Sequence, residues 1–561
     1  MTVTARSAVK LGGWDFRASH VAAALLFVHA VLTWVNRAFV GGLWHDEAQY
    51  ILLSRAVRRF SYSDFYLVGS PFDSLYPPGL PAIFAAVSLP FGEHAQLLIA
   101  AVLVCSVVGL WLVYDIVRRC DTPRMALLVL ALAAVNPDLV QYGGHVLSEQ
   151  PYMMFSMLAL WAVVRESAQP PATASATPLW RRAPVVAMAS AIVAALIRLI
   201  GVTVIGAVMI QWALERRTRR VLSLTAAGAV TVGAFVVWLI IVPPHIEKRS
   251  YVADATFSPR ADFGVGAIIR HRVTTNIGDY VAVSLPRLLQ FPSFAAVARR
   301  SGSRESSLAG AAQLDALIGF VVVVSLGAFG VWVLWRRARV VAVYIALYFV
   351  LLAFWSWHQS RYLIPVLPLM FWALFAAIVH VARLHRRLRY LPAVAVGGVL
   401  FMSVGRDLVN TRESLGCDRG NAMASERCFS PIERGFFAAM DFIRSSTADT
   451  AAFLTSADTQ LGLFGGRRAL FSAPLTGSAP DSVFAQMRAR VVEYALLTPL
   501  RPPDDQLVPT FTGACRSVEL VREFPAVTLV LRVPPPGRAP APDACAALQR
   551  YNTEQWKSNL W

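Results

Sequence analysis

The chain has 561 residues, 56% of them hydrophobic and only 15% charged, against roughly 45–50% apolar and 25% charged in soluble domains. It is therefore read as an integral membrane protein. Its formal charge of +18 is almost entirely arginine, grouped after apolar runs as cytoplasmic loops of membrane proteins are, which leaves no basic patch over for nucleic acid.

With about 20 apolar residues needed to cross the hydrocarbon as a helix, spans fall near 18–40, 94–117, 125–143, 150–165, 183–198, 200–214, 221–242, 313–335, 340–356, 362–382 and 390–405, about eleven crossings. Arg6, Lys10 and Arg17 precede the first, no small-residue cleavage site follows it, and it reads as a retained span with its N-terminus inside. From that start each arginine group (Arg118 and Arg119, Arg181 and Arg182, Arg216 to Arg220, Arg336 to Arg339, Arg383 to Arg389) falls on the cytoplasmic side. Residues 183–214, interrupted at Arg198, read as two short helices or as one long helix with a re-entrant piece. The division expected is a transmembrane module over 1–405, with external loops at 41–93 and 243–312, and an external domain over 406–561. Residues 78–87, opened by two prolines and too short to cross, are expected to lie along the membrane surface as an interfacial helix.

The tail changes character. Runs at 451–455, 491–497 and 527–531 read as buried strands, and 431–446 and 480–490 as helices, which together predict a small α/β domain closed by the Pro-rich stretch 534–542. Cys417, Cys428, Cys515 and Cys545 all lie in this external tail, where disulfides persist. The pairs Cys417–Cys428 and Cys515–Cys545 are expected, out of the three connectivities that four cysteines allow.

Asp46 and Glu47 stand side by side directly after the first span. A charge drawn toward hydrocarbon costs on the order of 3 kcal/mol, so two carboxylates at a membrane exit suggest chemistry at that face. The bland reading is a helix start, where acidic residues suit the positive end of the helix dipole. Trp44, His45 and Tyr50 make a denser polar and aromatic cluster than a cap requires. The same loop carries Tyr76 before Pro77-Pro78-Gly79; His145 and Glu149 sit at the outer end of the third span, Arg198 at that of the fifth, and His358, Arg361 and Tyr362 open the tenth. Arginines beside an apolar groove suit a lipid-linked phosphate, which they match with paired hydrogen bonds. A divalent metal could be held by His45, Asp46, Glu47 and Glu149, but nothing in their spacing requires one, and no cofactor is expected. Glycine-rich phosphate loops, metalloprotease helices and serine elbows are absent from the sequence, against those classes of chemistry.

In their order along residues 18–405, Asp46-Glu47, Tyr76-Pro77-Pro78-Gly79, Leu147-Ser148-Glu149, Arg198 and Ser360-Arg361-Tyr362-Leu363-Ile364-Pro365 resemble the GT-C superfamily of membrane glycosyltransferases. The resemblance is to the clan of protein O-mannosyltransferases and lipid A aminoarabinose transferases, in its bacterial members. It implies an α-helical polytopic membrane protein that moves a hexosyl or pentosyl group, with inversion, from a polyprenyl-phosphate donor to a glycan, lipid or protein acceptor on the outer face of the bacterial cytoplasmic membrane. It further implies Asp46 as general base with Glu47 as its helper, Arg198 and Arg361 on the departing phosphate, and Tyr50, Tyr76, His145, Glu149, His358 and Tyr362 among the substrate-binding residues. The large carbohydrate-binding insertion of eukaryotic protein mannosyltransferases is missing. Two readings from other classes are a transporter or flippase of lipid-linked glycans, with Glu149 and Arg198 lining its path, and a non-catalytic receptor, which leaves the first-loop acids unexplained.

Overall fold

The structure is a computed structural model that describes residues 16–167, 182–241, 265–291, 305–355, 358–417, 428–501, 507–535 and 542–558. Much of the second loop expected over 243–312, most of the Pro-rich stretch and the basic residues Arg6 and Lys10 lie outside the described residues.

The membrane module is a helical bundle. Its first half runs through α1 (Phe16–Val35), α2 (His45–Arg58), α3 (Gly79–Phe91), α4 (Ala95–Cys120), α5 (Pro123–Ala134), α6 (Pro137–Gly143), α7 (Glu149–Ser167), α8 (Ala183–Ile197), α9 (Val202–Leu214) and α10 (Thr218–Ile241). The second half holds α11 (Val265–Asp279), α12 (Glu305–Arg337), α13 (Arg339–Phe354), α14 (Leu367–Leu384) and α15 (Leu391–Leu415). The eleven apolar stretches are helical over most of their length, yet six described helices are long and apolar enough to cross a membrane, or seven if α5 and α6, bent by 64°, form one span. Among the remaining apolar helices, α8, α9 and α13 fall short of the roughly 20 residues that length criterion asks. The bend between α5 and α6 has a local cause. Pro137 disfavours helix at the residue before it, and the Asn136 side chain accepts from the Leu139 N–H at 3.1 Å to start the next helix.

The arginine-rich helix ends meet one another. Arg337 at the end of α12 pairs with Asp121 just after α4, and Arg217 and Arg220 both reach Glu166 near the end of α7.

Residues 428–558 carry a five-stranded sheet of order β2-β1-β3-β5-β4, from β1 (Ala452–Thr455), β2 (Arg468–Phe471), β3 (Tyr494–Leu497), β4 (Glu519–Phe524) and β5 (Thr528–Arg532). The β1 strand is parallel to β2 and β3, whereas β5 is antiparallel to β3 and β4. Alternation with period two gives the sheet two apolar faces. Leu454, Leu529 and Leu531 pack with Phe484, Phe511 and Tyr551, and Phe453, Leu496 and Val530 pack with Phe436 and Met440 of α16 (Pro431–Ser446). The second face also takes in Leu52, Tyr66 and Leu67 of the first loop. Disulfides join Cys417 to Cys428 and Cys515 to Cys545.

Candidate active site

The helix α2 brings Asp46 and Glu47 into place. Both acids stand in its first turn, where the helix dipole favours them, so the capping reading and a site are both realised, in different residues. Glu47 is fully buried and spends both oxygens on its surroundings. Its Oε1 accepts from the Val146 N–H and faces His145 Nδ1, each at 2.9 Å, and its Oε2 accepts from the Gly42 and Trp44 N–H groups at 3.2 and 3.3 Å. Burial alone would raise its carboxyl, but His145 and these N–H groups outweigh it and hold the group below its ordinary value. Glu47 thus ties the start of α2 to the segment before α7. With both oxygens so engaged, Glu47 supports Asp46 by fixing the start of the helix that carries it. His145 is turned the same way, its ring stacked on Trp44 at 4.3 Å, and braces Glu47 in place of the substrate contact expected of it.

Asp46 points into the bundle. Tyr76 Oη donates to its Oδ1 at 2.6 Å, and Arg361 donates to Oδ2. The Tyr76 hydroxyl is aimed by an Asx-turn: Asp73 Oδ1 accepts the N–H groups of Leu75 and Tyr76 at 2.8 and 2.7 Å. Asp73 is itself held by Gln49 at 2.9 Å, a residue on α2 less than one turn beyond the acids. Burial, and then the Asp46 charge, push the Tyr76 hydroxyl well above its usual range, so it stays protonated and donates. Burial would also raise Asp46, but Arg361, His45 and Tyr76 together outweigh that and hold its carboxyl well below the ordinary carboxylate range.

From Arg361 the contacts continue. Its Nε lies 3.7 Å from Glu149 Oε1, which takes Arg198 Nη1 at 2.6 Å. The same Arg198 nitrogen donates to Ser148 Oγ at 2.8 Å, and Tyr50 Oη donates to that hydroxyl at 3.0 Å. The Tyr50 ring meets the Tyr76 ring edge-on at 5.3 Å, which closes a loop of seven residues back to Asp46. Tyr362 completes the group by lying under both guanidiniums, 5.0 Å from Arg198 and 5.7 Å from Arg361.

Two backbone features put Arg198 there. Helix α8 stops at Arg198, whose φ of −147° and ψ of 132° are extended, before a short 3-10 turn leads into α9, so a broken helix presents the arginine at its gap. Gly79 opens α3 directly against that break; a Cβ at this position would lie 2.7 Å from the Leu196 carbonyl carbon. The motif Tyr76-Pro77-Pro78-Gly79 therefore does two things at once: it aims Tyr76 and seats α3 on the end of α8.

Of the expected residues, Asp46, Tyr50, Tyr76, Glu149, Arg198, Arg361 and Tyr362 are brought together. His358 is not among them: it pairs with Asp279 at 2.7 Å and lies against Tyr280, at the end of α11. The four residues weighed as a metal set do not converge, since Glu47 faces His145 and Glu149 faces Arg198. Among the described residues no group of three or more His, Cys, Asp or Glu is arranged to hold a metal ion. Reading the sequence missed Thr459 and Arg501, which reach His45 Nδ1 from the C-terminal domain at 3.0 and 2.5 Å. No local signal in the tail marks them.

Residues 76–246 match the family model described as dolichyl-phosphate-mannose-protein mannosyltransferase, and no protein of curated function matches the chain. Among solved structures, ArnT from Cupriavidus metallidurans in the apo state is 17% identical, with a TM-score of 0.53 over 92% of this chain and 98% of that one. The apo oligosaccharyltransferase of Archaeoglobus fulgidus is 11% identical, with a TM-score of 0.53 over 86% of this chain and 70% of that one. The oligosaccharyltransferase AglB from the same organism, in complex with an inhibitory peptide and a dolichol-phosphate, is 12% identical with a TM-score of 0.52, over 86% of this chain and 70% of that one. The matched segment holds Tyr76, Glu149 and Arg198, and with the shared fold it bears out the resemblance to the GT-C superfamily of membrane glycosyltransferases.

Proposed function

We propose that the chain is an inverting glycosyltransferase that takes a sugar from a polyprenyl-phosphate donor and attaches it to an acceptor hydroxyl at the outer face of the bacterial cytoplasmic membrane, with its N-terminus inside and its C-terminal domain outside. One observation carries this reading. A partly exposed, ionised Asp46 and two guanidiniums, Arg361 and Arg198, meet where α2, a broken helix and the 3-10 segment Ser360–Val366 before α14 converge.

The chemistry follows from the charges. Asp46 takes the proton of the acceptor hydroxyl as that oxygen bonds to the anomeric carbon. The bond from that carbon to the phosphate oxygen breaks with its electron pair, and the departing lipid phosphate is met by Arg361 and Arg198. A phosphate leaving group needs its charge balanced more than it needs a proton, which is the work of preorganised donors. Arg361 is shared between Asp46 and Glu149. Phosphate competes with those carboxylates for it, and as Arg361 turns to the donor Asp46 loses the partner that depresses its basicity. Binding the donor thus arms the base. The likeness to a dolichol-phosphate complex of a protein of the same fold supports the lipid-phosphate donor.

Purified protein given a radiolabelled polyprenyl-phosphate sugar and a cell-envelope extract should transfer label to the extract. Arg361→Ala is expected to lower kcat/KM for the donor by about 10²–10³-fold, the usual loss when one preorganised donor is removed. Arg361→Lys should recover it only in part, because the planar fork is lost. Undiminished donor kcat/KM in the alanine variant would refute the phosphate role.

A further inference from the structure

We propose that the corner between α12 and α13 binds the phosphodiester headgroup of an anionic membrane phospholipid, through Arg336, Arg339, Trp332 and Trp335, in the leaflet that this end of the bundle faces. With the orientation proposed above that leaflet is the cytoplasmic one; sugar transfer itself has no part in the site.

Helix α12 ends in Trp332-Val333-Leu334-Trp335-Arg336-Arg337, and a single residue, Ala338, separates it from Arg339 and α13. The Ala338 φ of −144° and ψ of 69° break the helical run there. Val333, Leu334, Ala338 and Val340 turn inward and are buried. The three arginines then divide. Arg337 reaches in to Asp121, to which Trp372 Nε1 also donates at 3.2 Å. Arg336 and Arg339 stay outside with Trp332 and Trp335, each indole 46% exposed. These four side chains line an open cleft of about 610 Å³.

Every polar side-chain group in the cleft is a donor, since guanidiniums and indoles offer only N–H groups. The Arg336 guanidinium lies over Trp332 at 4.4 Å and that of Arg339 over Trp335 at 5.5 Å, which orders both charges on flat aromatic surfaces. Among the described residues neither guanidinium has a carboxylate partner and neither indole N–H has an acceptor. Two other arginine–tryptophan stacks are closed by the protein's own acids. Arg220, over Trp212 at 5.9 Å, pairs with Glu166; beneath Arg165, at 5.1 Å, the Trp161 N–H goes to Asp115 at 2.7 Å. At the corner of α12 and α13 the acid has to come from outside the described chain.

A phospholipid headgroup matches this set of groups. Its phosphate takes paired hydrogen bonds from a guanidinium, and the start of α13 adds the positive end of its dipole. Exposed indoles at a helix end suit the headgroup level of a bilayer, where basic pockets between membrane helices take anionic lipids. The cleft is larger than a bare phosphate needs, and Phe329, stacked on Trp332 at 5.4 Å, continues its aromatic wall along α12 toward the hydrocarbon. Glycerol and the first chain carbons therefore have an apolar surface to lie on.

The test places the full-length protein singly in phosphatidylcholine nanodiscs that carry rising shares of brominated phosphatidylglycerol or of brominated phosphatidylcholine. Quenching owed to the two indoles is the difference between the wild type and the Trp332→Phe, Trp335→Phe double variant. It should reach half its maximum at a lower share of phosphatidylglycerol than of phosphatidylcholine. Arg336→Gln and Arg339→Gln should each raise that share about fivefold, and together abolish the preference, with thermal midpoint and sugar transfer unchanged. Equal quenching by the two lipids, or a preference that survives the double glutamine variant, would overturn the proposal. So would displacement of the brominated lipid by glycerol 3-phosphate, which would assign the cleft to a soluble phosphate, or indoles unquenched in these discs yet shielded in a dimer, which would assign it to a second copy. Discs present both leaflets alike, so the result does not depend on orientation. A protein that keeps the lipid preference but transfers no sugar would remove the transfer reading and leave this site standing.

Discussion

Asp46→Asn is expected to lower transfer by about 10²–10⁴-fold, the range that general-base catalysis supplies, while the folded protein and its donor site survive. The substitution is nearly isosteric and leaves an oxygen within reach of Tyr76, but it removes the charge that holds Arg361. The freed guanidinium should bind undecaprenyl phosphate at least as tightly as in the wild type. Collapsed turnover with equal or tighter lipid-phosphate binding separates loss of a base from loss of a binding residue; an Asn variant that turns over normally, or binds the lipid more weakly, would contradict the assignment. The pH profile offers a second check. Asp46 is held below its ordinary value, so its ionised form is present above the usual carboxylate range and lost only as pH falls through the depressed value. Donor kcat/KM should therefore show no acid limb from this group above about pH 4. A limb near pH 6 that disappears in Asp46→Asn would show that the Arg361 pairing does not govern the free protein.

Glu47→Ala is expected to destabilise the protein by about 3–5 kcal/mol, the usual consequence of removing one partner from a buried charged set. The Gly42, Trp44 and Val146 N–H groups and the His145 ring lose their common acceptor together. Because the carboxyl is depressed by these partners, its contribution is present above the ordinary Glu range and fades as pH falls below it. The thermal midpoint should drop, and activity should fall with it because the start of α2 no longer holds Asp46. Glu47→Gln, which keeps two acceptor sites at most, should lie between. An alanine variant with an unchanged midpoint and no turnover would mean that Glu47 takes part in the reaction directly.

The charges that build the site are legible in the sequence because each interrupts an apolar context: Asp46 at a membrane exit, Glu149 and Arg198 at span ends, Arg361 before Tyr362. Their partnerships are not. Asp46 and Arg361 lie 315 positions apart, and no periodicity joins them; only the packed bundle does. Helix geometry alone does not divide Asp46 from Glu47, since adjacent residues point about 100° apart and the pattern does not say which one meets the cleft; only the family resemblance separates them. In the tail, the buried runs of β1, β3 and β5 carry a strand signal, but β2 opens on the exposed Arg468 with only Ala469 and Leu470 buried, and β4, Glu519–Phe524, is mostly half-exposed and charged. The number of crossings is the least legible part of the module, because α8 and α9 form a broken pair around Arg198, where helix length and apolar run part company.

The strand pairing of Leu67 with Ala469 sets the unit in which this protein can be recombined. A chimera that replaces the C-terminal domain alone would leave the Tyr66–Val68 segment without its sheet and Leu52 without Phe436 and Phe453. A graft of another C-terminal domain must carry residues 41–93 together with the tail. Since that loop holds Asp46 itself, the tail and the segment that carries this acid are inherited as one block and diverge together.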